Sequence, residues 1–162
     1  MCIRDRYNIP LFSGVSMSGG QLIELLDDDR FVGIKHTSND YYQMEQMRRA
    51  YPDKILFNGF DEMFLCGMIA GASGGIGSTY NYMADKYLAM YDLFHQGKIE
   101  EARKIQHIVN QPIDVFGKFG GIPCVKAILK CMGIGDGTCR RPFTDCTKEA
   151  YDYLEKHVLP LL

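Results

Sequence analysis

No stretch of this sequence approaches the roughly 20 apolar residues of a membrane-spanning helix. The opening Met1-Cys2-Ile3-Arg4-Asp5-Arg6 contains no apolar core and does not read as a signal peptide. Excess charge of one sign is also lacking. The net charge of −2 gives no global basic field for nucleic acid or an anionic membrane. Metal-ligand spacing is missing too. The six cysteines (Cys2, Cys66, Cys124, Cys131, Cys139, Cys146) form no C-x-x-C pair, and His36, His95, His107 and His157 are scattered. The cysteines therefore read as free, buried thiols of a reducing cytosol, and no metal site is expected. The glycines between Gly71 and Gly77 lack the Gly-Lys-Ser/Thr ending of a phosphate loop. Low-complexity segments, linkers and a separable second domain are absent from the pattern.

What remains is an ordinary globular composition, 46% hydrophobic and 23% charged over 162 residues. The first half alternates short apolar runs with amphipathic stretches. Phe31 to Lys35 and Lys54 to Asn58 read as strands, and Gly74 to Gly77 as a short Gly-rich one. Asn39-Asp40 offers an N-cap for a helix from Tyr41 to Ala50, and Met63 to Ala70 reads as a buried helix. This rhythm predicts a parallel sheet covered by helices. From Met83 the pattern is helical: Met83 to His95, Ile99 to Val115, Gly121 to Met132 and Thr147 to His157. The second of these sets Ile105, Ile108 and Val109 opposite Glu100, Glu101, Arg103 and Lys104. Tyr7-Asn8-Ile9-Pro10 reads as a strand end, but Arg4-Asp5-Arg6 before it is poor interior-strand sequence. Residues 1–6 are accordingly expected to be a truncated or foreign leader.

Lys35 is the residue on which chemistry turns. It closes an apolar run and is followed at once by His36-Thr37-Ser38. An ammonium in such a strand is unfavourable unless paired or deprotonated, and a neutral amine is a nucleophile toward carbonyls. A lysine snorkelling to the surface is the plain alternative. The other polar candidates, however, also follow strands: Tyr7 the first, Asp61 and Glu62 the third, Ser78 and Thr79 the fourth. In a parallel βα fold these points share one face, and that face carries active sites. Asp61 also reads as an N-cap for the helix after it, and His36 as a residue that supports the site from behind or as a structural one.

Together, Tyr7-Asn8-Ile9-Pro10, Gly33-Ile34-Lys35-His36-Thr37-Ser38, Gly59-Phe60-Asp61-Glu62 and Gly74-Gly75-Ile76-Gly77-Ser78-Thr79-Tyr80-Asn81 resemble the N-acetylneuraminate lyase/dihydrodipicolinate synthase family. The resemblance runs from Tyr7 to the end. It implies a (β/α)8 barrel and a class I aldolase that forms a Schiff base with pyruvate and uses no cofactor. It implies Lys35 as the Schiff-base former and Tyr7 as a proton shuttle. Thr37, Gly59, Asp61, Glu62 and Ser78 would bind substrate, the last four at the polyhydroxylated tail of sialic acid. Phe60 stands where some relatives carry tyrosine. The implied reaction cleaves N-acetylneuraminate to N-acetylmannosamine and pyruvate, in a cytoplasmic homotetramer. A sister pyruvate-dependent aldolase or synthase and a non-catalytic fragment are the alternatives.

A whole barrel takes roughly 250 residues. The expected fold is therefore α/β, the C-terminal half of a (β/α)8 barrel: about four βα units over residues 7–82, then helices over 83–162. The family's carboxylate-binding G-S-T motif lies on an early strand, and no match to it is read in this sequence. Half a barrel would leave open sheet edges and an exposed inner face.

Overall fold

The computed structural model describes residues 5–162, and the chain forms two units, residues 1–77 and 78–162. In the first unit, β1 (Asp5–Asn8), β2 (Gly33–His36), β3 (Ile55–Asn58) and β4 (Gly74–Gly75) pair in that order, all parallel. The helices α1 (Pro10–Ser13), α2 (Gly19–Asp27), α3 (Tyr41–Ala50) and α4 (Phe64–Ile69) fall between or after them, with a 3-10 turn at Asp61–Met63. This is the α/β architecture the alternation predicts.

Side chains alternate across a strand, so the sheet has two chemically different faces. Ile34 and Leu56 point to the helices, where they join Leu22 and Leu26 of α2 and Met44 and Met47 of α3 in a core free of solvent. Lys35 and Phe57, one residue further along, point to the opposite face. Asp40 caps α3 by accepting from Gln43 N at 3.1 Å. Helix α2, which the apolar pattern alone does not announce, begins with a capping box. Ser18 Oγ accepts from Gln21 N, and Gln21 Oε1 accepts from Ser18 N at 2.9 Å.

The leader expected over 1–6 falls partly outside the described residues. Within them, Asp5 and Arg6 pair in β1 rather than standing outside the fold. Asp5, Arg6 and Tyr7 are exposed in this strand, and Arg6 packs its guanidinium over the Phe31 ring. Phe31 and Val32 lie before β2, not in it.

The second unit comprises α5 (Tyr80–His95), α6 (Ile99–Asp114), α7 (Phe116–Phe119), α8 (Gly121–Cys131) and α9 (Lys148–His157). In α6 the buried stripe is Ala102, Gln106, Val109 and Pro112, while Ile108 is exposed. The helical period places residues 102, 106 and 109 on one side and turns 108 away. The five cysteines among the described residues are free, but only Cys124 of these is buried; Cys66 is exposed and Cys131, Cys139 and Cys146 are intermediate. Cys66 lies on the outward side of a short helix, which its apolar neighbours do not reveal. Burial pushes the Cys124 thiol up to about 12. Among the described residues, no helix is long and apolar enough to cross a membrane, and no group of His, Cys, Asp or Glu is arranged to hold a metal ion.

Candidate active site

Parallel pairing in register brings the first two candidates together. Tyr7 of β1 stands opposite Lys35 of β2, and Lys35 opposite Phe57 of β3. All three therefore project from the face away from the helices. The Lys35 Nζ lies 4.3 Å from the centroid of the Tyr7 ring. Among the described residues no carboxylate lies within ion-pair distance of this amine. Its neighbour is an aromatic face with a phenol at the far end, which interacts with an ammonium yet leaves the lone pair of the neutral amine unclaimed.

Thr37 follows β2. Its N–H donates to Asn8 O at 2.8 Å, extending the ladder one step past the strand, and its buried Oγ1 has no hydrogen-bond partner among the described residues. Gly59 follows β3 and donates its N–H to His36 O at 2.9 Å. A Cβ at Gly59 would overlap Thr37 Oγ1, so glycine is what lets the two loops meet. The structure thus joins Thr37 and Gly59 as adjacent walls at the end of the sheet where Lys35 emerges.

Asp61 and Glu62 lie in the 3-10 turn after β3. Phe60, not Asp61, is the N-cap of this turn; Asp61 is its first residue and is buried. The capping role expected for Asp61 is therefore not the one it has. Glycine at 77 makes this burial possible, since a Cβ there would overlap the Asp61 carboxylate. Glu62 is half-buried, and its carboxyl is held above the usual range, first by desolvation and then by the neighbouring Asp61 charge. Tyr41, at the start of α3, stays protonated far into the alkaline range through burial and the nearby Cys66 and Glu62 charges. Its hydroxyl is within 3.4 Å of Met63 O. Sequence reasoning missed this tyrosine; its only signal was a phenol directly after an N-cap.

Ser78 opens the second unit and is half-buried, its carbonyl accepting from Asn81 Nδ2 at 2.8 Å. Gly77-Ser78-Thr79 is itself a G-S-T triplet, but it follows the fourth strand and not an early one. Thr79 is buried, with its hydroxyl 2.8 Å from Tyr87 OH.

An amine over a phenol ring, an unpartnered hydroxyl and two adjacent carboxylates with suppressed hydration are the parts for carbonyl chemistry on a polyhydroxylated molecule. The N-acetylneuraminate lyase of Rhizobium meliloti is 44% identical over 157 residues, covering 96% of this chain and 52% of that protein. The N-acetylneuraminate lyase of Fusobacterium nucleatum, solved in complex with pyruvate, superposes with a TM-score of 0.84 at 37% identity, over 95% of this chain and 54% of that one. A catalytic lysine mutant of the Ruminococcus gnavus sialic acid aldolase gives a TM-score of 0.86 at 30% identity, over 97% and 53%. The chain thus spans about half the length of the relatives it matches. The dihydrodipicolinate synthetase family matches residues 6–159, nearly the full sequence, and this chain belongs to that family.

Proposed function

We propose that the chain is the C-terminal half of a (β/α)8 barrel and carries the Schiff-base residues of a class I aldolase that cleaves N-acetylneuraminate. The observation that carries this reading is the in-register pair Tyr7–Lys35, with the amine 4.3 Å from the ring centre. The neutral amine of Lys35 attacks the C2 ketone of the open-chain sugar, and loss of water leaves an iminium. Electrons of the C3–C4 bond flow into that iminium as the C4 hydroxyl loses its proton, giving N-acetylmannosamine as an aldehyde and an enamine on Lys35. Protonation at C3 and hydrolysis release pyruvate and restore the amine. Tyr7 relays protons at the reacting oxygens. Lysine is the electron sink, so the chemistry needs no metal or organic cofactor.

Thr37, Gly59, Asp61, Glu62 and Ser78 bind substrate in this reading. The Asp61–Glu62 pair favours sialic acid over the aldehyde partners of sister synthases, because carboxylates accept from several sugar hydroxyls at once. The whole protein is a homotetramer in the cytoplasm. Pyruvate release from N-acetylneuraminate, followed with a coupled dehydrogenase, tests the assignment on the whole protein. Wild type should turn over, and Lys35→Arg should not, since a guanidinium stays protonated and forms no imine. Turnover in the arginine variant would end the proposal.

A further inference from the structure

Tyr7 is 54% exposed, and β1 buries only one of its four residues, Asn8. Asn8 Nδ2 lies 3.0 Å from Nδ1 of His36, across a buried contact between residues 28 apart in sequence. His36 is 1% exposed, and burial pushes its pKa below the usual imidazole value. With Asn8 Nδ2 as donor, Nδ1 is the acceptor and the neutral ring's proton is on Nε2, which is buried with no hydrogen-bond partner among the described residues. Asn58 continues the row on β3, fully buried and donating through Nδ2 to Phe60 O at 2.5 Å.

The row Asn8–His36–Asn58 is one residue along from Tyr7–Lys35–Phe57 and faces the helices, while the second row faces away. Apolar side chains would fill that layer with less desolvation, and a buried polar pair is replaceable by packing unless its geometry is used. Here it fixes the lateral and axial position of the strand that carries Tyr7. The same strands also place Thr37, whose N–H bonds Asn8 O.

We infer that Asn8 and His36 are positioning residues of the lysine site: their buried hydrogen bond holds β1 against β2 so that the Tyr7 phenol meets the Lys35 amine. This rests on the Schiff-base reading of Lys35. Neither residue touches the reacting atoms; both act through Tyr7. Misplacement of a catalytic group by about 1 Å slows reaction on the order of a hundredfold, so the clamp should be visible in rate more than in substrate affinity.

The test is the rate of pyruvate adduct formation on the whole protein, quenched with borohydride at successive times, for Asn8→Ala, His36→Leu, their double variant and His36→Gln. Melting temperatures are measured alongside, and rates are compared where every variant is folded. Each of the two single replacements should slow adduct formation roughly ten- to a hundredfold. The double variant should be no slower than the slower single, because both remove one bond. Glutamine, which can still accept from Asn8 Nδ2, should recover most of the rate. Unchanged rates in folded variants would overturn the inference, as would losses that multiply in the double variant. A wild type that forms no adduct on Lys35 would instead bring down the Schiff-base reading itself.

Discussion

Glu62 is held in surroundings that oppose its charge. Its carboxyl sits above the usual 4.5 because of desolvation and the adjacent Asp61. A raised carboxylate binds its proton more tightly folded than unfolded. Its effect on stability is therefore absent below pH 4.5 and becomes a penalty as pH rises through the folded value. Glu62→Gln should raise the melting temperature at pH 7 and change it little at pH 4, as thermal melts at the two pH values will show. On the proposed reading, in which the carboxylate serves the sugar tail, the same substitution should weaken sialic acid cleavage while leaving pyruvate adduct formation near wild type. Stabilisation bought back by removing a functional charge is the usual sign of a site under load. His36 acts in the opposite sense on acidification. With its folded value below the ordinary 6.5, the unfolded chain binds the proton first. Stability should be complete above pH 6.5 and drain away as pH falls from there toward the folded value, and His36→Gln should flatten that part of the stability profile. At this scale the placement of Lys35 near the end of a strand was legible, because an apolar run leads into it. The Asn8–His36 bond was not, because no local pattern links residues 28 apart.

At the level of elements, α3 was readable end to end: Asp40 caps it, and Tyr51 follows its last residue. Strands β2 and β3 were expected as five-residue runs and have four residues each, with the first ending one residue later than its pattern suggested. Strand ends are set by cross-strand bonds that sequence does not display. Helix α2 shows the reverse. Its Ser18–Gln21 capping box was a readable start signal, but two glycines directly after Ser18 weaken the helical pattern. What fixes α2 is tertiary burial of Leu22 and Leu26. Ser18→Ala should lower unfolding free energy by about 1 kcal/mol, and Leu26→Ala by roughly 2–5 kcal/mol. Urea titrations of the whole protein distinguish the two; equal effects would mean that the cap, not the core, holds this helix.

For the whole molecule, the open side of β1 has no strand partner among the described residues, and Leu11 and Phe12 beside it are 74% and 82% exposed. On the half-barrel reading the preceding four βα units cover this region. The 162-residue chain alone should then bind a hydrophobic dye, self-associate on sizing chromatography and release no pyruvate from sialic acid. Joined to those units, it should run as one species and turn over. A monodisperse, active short chain would contradict the half-barrel account. The central claim concerns Lys35, and borohydride reduction of the whole protein in the presence of pyruvate, followed by peptide mass mapping, tests it most directly. The account predicts one reduced pyruvyl adduct, on the peptide containing Lys35 and lost in Lys35→Arg; an adduct on another lysine, or none, would contradict it.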